Sequence, residues 1–344
     1  MFLKIDENSS KPKYKQIVDA IVDKVSSGAL KVGEKIPSIN ELSEDSYLSR
    51  DTVEKAYRQL KELKVIISVK GKGYYTAKTE LISKVNIFFL INKLSTYKME
   101  IYNSFVDSMG VNAHVNLFIY HYDESLFLNH IEKNIGGYDY YVIMPHFKDE
   151  KLKYGNLTAN ALAALNKIPK SKLVLLDRQI PEVKGEYINI YQNFKLDIYN
   201  ALSDGIKKLS AYKKMILVYP RVSSYPYPKD IIIGFKKFCI EYNFDFEIID
   251  QIYEDMNLQK KDCYVTIAER DLVNLVKQVR EKELRLGKEI GIVSYNDTPL
   301  KELLGITVIS ANFKVAGEKA AQMILENKKG AVRCNFKLID RNSI

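Results

Sequence analysis

Apolar positions recur at helical spacing over the first third of the amino-terminal region, where Tyr14, Ile17, Ile21 and Val25 follow Pro12 and precede Gly28, a residue suited to a left-handed C-cap. A helix is expected there. Ser38 and Glu41 form an S-x-x-E capping box, so a second, short helix starts at that point. Ser49 caps a third, with Asp51 in its first turn, where a carboxylate favours the positive end of the helix dipole. Val53, Ala56, Tyr57, Leu60 and Leu63 then build one apolar stripe, leaving Arg50, Thr52, Glu54, Lys55 and Arg58 on the opposite face. Two strand-like runs, 65–69 and 74–77, flank Lys70-Gly71-Lys72-Gly73, which predicts a tight hairpin.

Beyond a short polar stretch at 78–84, read as a linker, the period changes. Apolar runs at 85–91, 115–120, 140–144, 173–176, 215–219, 246–249, 264–268 and 290–294 alternate with helical patterns near 97–109, 124–134, 157–167, 193–209, 229–242, 270–283 and 314–327. Repeated β-α alternation predicts an α/β fold of parallel sheets covered by helices, and eight or more strands fit two sheets side by side. The expected division is 1–77, 78–84 and 85–344. In open parallel sheets ligands sit beyond the carboxyl ends of the strands, which makes those ends the place to look for a site.

A short helix, a turn, a second helix and a hairpin form a winged helix-turn-helix pattern, in which the second helix meets base edges through its amino-terminal residues. Arg50 and Thr52 stand in that position, and the lysines at the hairpin tip can neutralise phosphate or lie along a minor groove. The same pattern also builds a small structural core or a protein contact. The residues carry a family resemblance. Pro12, Tyr14, Gln16, Ile17, Gly28, Leu30, Gly33, Ile36, Pro37, Ser38, Glu41, Leu42, Ser49, Arg50, Thr52, Val53, Ala56, Leu60, Gly71 and Gly73 match, at the right intervals, the amino-terminal domain of GntR-type transcription regulators. The resemblance implies binding of double-stranded operator DNA through Ser38, Asn40, Ser49, Arg50, Thr52, Lys55, Lys70, Lys72 and Gly73. Asn40 and Glu54 stand where many members have arginine, so a different operator is expected.

Charge changes this picture little. Residues 1–80 hold 15 Lys and Arg against 12 Asp and Glu, a net of +3 within a chain total of +9, so a basic surface must come from local placement. No apolar run approaches a membrane span, the amino terminus lacks the apolar stretch of a signal peptide, and Cys239, Cys263 and Cys334 are too few and too scattered for a disulfide framework. A cytoplasmic protein with free thiols is expected. His114, His121, His130 and His146 form no metal-ligand spacing, and neither a phosphate-binding P-loop nor a G-x-S-x-G elbow occurs. Neither an enzymatic activity nor a cofactor is expected.

The strand ends are polar: Asn92 and Lys93, His146 and Phe147, Asp177 and Arg178, Arg221 and Ser223, Glu269 and Arg270, Asn296 and Asp297. Such groups suit a small polyhydroxylated ligand, with Tyr or Phe supplying the stacking face in a chain without Trp. Taken singly, they read equally well as a salt bridge, an Asx turn or a helix cap. A second resemblance enters over roughly 85–340. Residues 264–304, with Tyr295-Asn296-Asp297-Thr298-Pro299, the Asp-Arg-x-x-Pro at 177–181 and the segment 307–327, are similar to the effector domain of the lactose-repressor family. It implies two lobes, like those of periplasmic sugar-binding proteins, closing on a sugar-like effector.

The expected effector residues are Asn92, Phe147, Asp177, Arg178, Arg221, Glu269, Arg270, Asn296 and Asp297, although Glu269-Arg270 replace an Asn-Asp pair typical of that family. The combination resembles arabinose-type repressors: a homodimer whose operator affinity responds to a sugar, with relief of repression the expected sign. The alternatives are an enzyme-like domain of the pyridoxal-phosphate aminotransferase type behind the headpiece, or a ligand-free dimerisation module.

Overall fold

Local capping chemistry sets the helices of the amino-terminal unit. The computed structural model describes the chain except for residues 1, 4, 7, 8, 10, 27, 28, 78–84, 149–153, 156 and 222–225. The Gly28 cap and the 78–84 linker therefore lie outside the described residues. Two compact units are present, Met1–Val85 and Asn86–Ile344.

In the first unit, α1 (Lys13–Ser26) is followed by β1 (Lys35–Ile36), α2 (Ile39–Ser46), α3 (Arg50–Glu62), β2 (Ile66–Val69) and β3 (Gly73–Thr76). The Ser38 hydroxyl accepts from the Glu41 amide at 3.2 Å while the Glu41 carboxylate accepts from the Ser38 amide at 2.7 Å, closing the capping box. Tyr47, at φ 53°, ends α2 in a left-handed conformation and turns the chain toward Ser49, whose hydroxyl accepts from the Thr52 amide. Ile17, Ile21, Leu42, Val53, Ala56 and Leu60 are fully buried together. The apolar stripe ends at Leu60: Leu63 follows the last helical residue and is 50% exposed. In the hairpin the Lys72 amide donates to the Val69 carbonyl across Gly71, whose φ of 74° is the left-handed value a type II turn requires at that position. Residues 35 and 36 add a third strand, antiparallel to β3, that periodicity did not announce.

The second unit begins with β4 (Val85–Ile91), α4 (Thr96–Met109), β5 (Ala113–Ile119), α5 (Glu124–Asn134) and β6 (Tyr140–Ile143). A two-stranded ribbon, β7 (Phe147–Lys148) and β8 (Tyr154–Gly155), precedes α6 (Ala159–Lys167), β9 (Leu173–Asp177) and β10 (Ile188–Tyr191). Next come α7 (Phe194–Asp204), α8 (Ile206–Leu209), β11 (Lys214–Val218), α9 (Asp230–Glu241), β12 (Asp245–Ile249), β13 (Asp262–Thr266), α10 (Glu269–Glu281) and β14 (Gly291–Tyr295). The last elements are α11 (Pro299–Leu303), β15 (Thr307–Ser310), α12 (Phe313–Leu325), β16 (Gly330–Arg333) and β17 (Lys337–Ile339).

They form two six-stranded sheets, ordered β16-β10-β9-β6-β4-β5 and β12-β11-β13-β14-β15-β17. The second is parallel except for its edge strand β17. The chain passes between the sheets after Tyr191, after Ser310 and after Arg333: α7 packs on α9 and β17 of the second lobe, whereas α12 returns to α4 and β10 of the first. The single helix expected over 193–209 is split at Gly205, where Leu338 fills the space a side chain would need. Residues 307–310, within the segment that resembles the lactose-repressor family but outside any expected strand or helix, form a buried strand, and the helical pattern at 314–327 is the helix α12 that starts at Phe313. No helix among the described residues is long and apolar enough to cross a membrane.

Candidate functional site

On the first unit, α3 buries Val53, Ala56, Tyr57 and Leu60 and leaves Ser49, Arg50, Asp51, Glu54, Lys55 and Arg58 exposed. The Tyr57 hydroxyl donates to the Pro37 carbonyl at 2.7 Å, and its ring meets Tyr74 of the wing edge-on at 4.8 Å. One aromatic side chain thus fixes the helix against both the preceding turn and the hairpin. Asn40, Lys70 and Lys72 are exposed and Gly73 is half-buried. Ser38, Ser49 and Thr52 are partly committed elsewhere: Ser38 to its cap, and Ser49 and Thr52 to a mutual hydroxyl hydrogen bond of 2.8 Å. The Lys55 ammonium lies 4.2 Å from the Tyr14 ring centroid, tying α3 to α1.

In the second unit, the strand ends of the two lobes face each other across a cavity of about 70 Å³. The first lobe contributes Lys93, Tyr97, Lys98, Tyr122 and His146; the second contributes Tyr227, Ile267, Tyr295 and Asn296; Gln192 and Phe194 come from the crossover between them. Behind the first-lobe wall lies Asp177, whose side chain is fully buried. Its carboxylate accepts from the Tyr97 hydroxyl and the His146 Nε2–H, both at 2.8 Å, and from the Gln192 amide, with the Lys98 ammonium at 3.4 Å. Lys98 also donates to the Asn92 Oδ1.

Burial would raise the Asp177 carboxyl, but Lys98 and His146 outweigh it and hold the group well below the usual carboxylate range. Burial lowers Lys98 to about 8 against the pull of Asp177. It lowers His146 to about 4, reinforced by the charge of Lys98. His146 is therefore a neutral donor near pH 7. Both Asp177, at φ 77°, and Asn296, at φ 59°, hold the left-handed backbone that Asp and Asn adopt more readily than other non-glycine residues. Asp177 is held by its four side-chain partners. On the opposite wall, the buried Lys301 ammonium donates to the Tyr295 and Asn296 carbonyls at 2.7 and 2.9 Å.

Several polar atoms at this junction have no hydrogen-bond partner among the described residues, namely the Tyr295 hydroxyl, Asn296 Oδ1 and Asn92 Nδ2. A buried polar atom without a partner is costly, and one that borders a cavity is placed to meet a ligand or water. Of the residues expected to bind effector, Asn296 lines the cavity, while Asp177 and Asn92 act one bond behind it through Tyr97, Lys98, His146 and Gln192. The others are placed elsewhere.

Phe147 is 2% exposed in the first-lobe core, its ring 5.0 Å from that of Phe127, because the chain turns inward after His146 to start β7. Asp297 is held bidentately by Arg341 at 2.9 and 2.8 Å. Arg221 pairs with Asp250 at the surface, and Glu269 and Arg270 are exposed at the start of α10. Arg178 is half-buried and acts on His146 through its charge. Ser223 lies outside the described residues. Sequence reasoning passed over Tyr97, Lys98, Tyr122, Gln192 and Tyr295 as site residues. Tyr97 and Lys98 sit in a helical pattern whose polar face reads as solvated.

Residues 13–75 match the family model described as bacterial regulatory proteins, gntR family. The amino-terminal domain is a GntR-type headpiece. Over 83 residues this chain is 36% identical to the HTH-type transcriptional repressor YtrA of Bacillus subtilis, which covers 23% of this chain and 64% of YtrA. The likeness is that of the GntR-type headpiece, and the chain spans less than two thirds of that relative.

The chain is similar to a Lac repressor bound to ONPG, with a TM-score of 0.59 and 14% identity over 87% of this chain and 92% of that one. It is also similar to a periplasmic binding ribose operon repressor protein from Lactobacillus acidophilus, at a TM-score of 0.55 and 16% identity over 75% and 97% of the two chains. These likenesses give the unit behind the GntR-type headpiece the two-lobed fold of repressor effector domains, not that of an aminotransferase.

Proposed function

We propose that the protein is a transcription repressor that binds operator DNA through its GntR-type headpiece and senses a small hydroxylated, sugar-like effector between the two α/β lobes. The observation that carries the reading is the conjunction of an exposed, capped recognition helix with an inter-lobe cavity bordered by unpartnered polar atoms and tyrosine rings. At about 70 Å³ the cavity is well below the ~300–1,000 Å³ of small-molecule pockets, so admitting an effector requires the lobes to part. That motion is the element through which binding reaches the DNA. A homodimer reading a two-fold operator is the geometric expectation for a helix-turn-helix protein, with effector relieving repression.

Arg50 stands exposed at the amino-terminal end of α3, where base readout occurs. Electrophoretic mobility shift on the protein's own upstream DNA is expected to show Arg50→Ala losing about 1–3 kcal/mol of specific binding at fixed salt. A loss confined to non-specific affinity, or none, contradicts the readout role. Protein that binds no duplex DNA at all contradicts the regulator reading itself.

A further inference from the structure

Asp197 is buried between the lobes with part of its hydrogen-bonding capacity unmet. It lies in the first turn of α7, just after the chain first crosses between the sheets, and its side chain is 0% exposed. The guanidinium of Arg333, which ends β16 where the chain crosses for the third time, donates to Oδ1 at 2.6 Å. The other carboxylate oxygen, Oδ2, has no partner among the described residues, and neither has the Arg333 Nε–H or the Tyr295 hydroxyl. Tyr295 ends β14, near enough for Asp197 to act on it: burial and the Asp197 charge raise its hydroxyl well above the usual tyrosine range. Three elements thus bring polar atoms to one buried place without pairing them fully.

The location makes this mismatch mechanical. α7 packs on α9 and β17 of the second lobe, whereas β16 is the edge strand beside β10 of the first, so the Asp197–Arg333 pair spans the lobes. A buried ion pair is favourable only where further hydrogen bonds meet the remaining lone pairs and protons. Here they do not. Burial pushes the Asp197 carboxyl up to about 6 against the pull of Arg333, so the ionised group is less stable in this arrangement than in water. Tyr295 and Cys334 also face it and supply no counter-charge, the Cys334 thiol being raised to about 12 by burial and by the charges of Asp177 and Asp197. Parting of the lobes must rearrange the pair, and a rearrangement that brings water to Oδ2 relieves the cost.

We propose that Asp197 is a spring built into the hinge: a half-satisfied buried carboxylate, held across the lobes by Arg333, that keeps the closed arrangement close in free energy to a parted one. A cavity of about 70 Å³ needs such a device, because nothing larger than a few atoms enters it until the lobes separate. The inference takes the lobe motion from the effector reading above and is independent of what the effector is.

Hydrogen–deuterium exchange of the full-length protein without ligand tests it, followed in peptides covering 191–198 and 331–337. Asp197→Asn removes the charge, keeps an acceptor for Arg333 and adds a donor that the Tyr295 hydroxyl can accept. Exchange in both segments is expected to slow by about threefold or more, because the parted arrangement loses its advantage. Replacing both charges, with Asp197→Leu and Arg333→Met together, is expected to slow it as well, since a poorly satisfied buried pair gives way to apolar contact. A pair that merely clamps the lobes shut predicts the opposite, faster exchange in both variants. Unchanged or faster exchange in Asp197→Asn overturns the inference. The buried strand β13 is the folding control, and should Asp197→Asn lose protection there, the double variant decides by the same criterion. Because no ligand is added, failure here leaves the effector reading standing. That reading falls instead if a thermal-shift screen over monosaccharides and their derivatives finds no binder, an outcome that leaves the exchange result intact.

Discussion

Asp177 occupies the most consequential position at the residue scale. Its carboxylate gathers Tyr97 from α4, His146 after β6 and Gln192 at the crossover, so three segments far apart in the chain converge on one charge. The neighbouring pKa shifts give this cluster a defined acid response. Native His146 stays neutral down to about 4, whereas the unfolded chain takes up a proton near pH 6.5, so the unfolded state binds more protons in that interval. Stability is therefore lost as pH falls from about 6.5 to 4, by on the order of 3 kcal/mol. Below about pH 4 the depressed Asp177 carboxyl continues the loss in the same direction. Urea denaturation of the wild type and of His146→Gln, which keeps a donor toward Asp177 without a titrating ring, measures the contribution. The variant's stability is expected to be flatter between pH 6.5 and 4, and equal slopes would contradict the assignment.

At the scale of elements, the contact between α4 and α12 joins the two ends of the first lobe. Gly317 is what permits it: a Cβ there would stand 2.1 Å from the Ser104 hydroxyl and 2.2 Å from the Ile101 carbonyl. Gly317→Ala would gain about 1 kcal/mol of helix propensity, but the backbone of α4 would have to move. Overpacking of this kind costs about 1–3 kcal/mol, so a net loss is expected, seen as a lower urea midpoint with unchanged slope. An unchanged or raised midpoint would show that the helices separate freely. Most elements were legible from periodicity and caps, including the S-x-x-E box and the wing, because these are set by neighbours within four residues. The missed or misplaced ones have tertiary causes: β15 is a four-residue strand buried between β14 and β17, and the break at Gly205 accommodates Leu338, which lies far along the chain.

At the scale of the whole molecule, the proposed repressor couples two equilibria, and coupling of that kind is reciprocal. On that proposal, effector changes operator affinity by the same factor by which operator changes effector affinity, typically about 1–3 kcal/mol. Titrating effector into free protein and into the protein–operator complex, at the same salt concentration, tests this directly. Equal effector affinities in the two titrations would leave the cavity without a regulatory role. Arg333, at the end of a first-lobe strand, donates to Asp197 of α7 on the second lobe at 2.6 Å, beside the crossovers about which the lobes would move.

The sequence by itself determined the GntR-type headpiece, the α/β alternation and the polarity of the strand ends, since all three are written in short-range spacing and in residue type. Only the tertiary structure decided which of those polar residues meet. Asp297 and Arg221 look as suitable as Asn296 on paper, yet Arg341 and Asp250 bind them. Tyr97 and Lys98 face the cavity because the turn after β4 starts α4 at the lobe junction. Spacing along a chain fixes which face of an element a side chain occupies. What that face then meets depends on how the chain crosses between two sheets, which nothing local encodes.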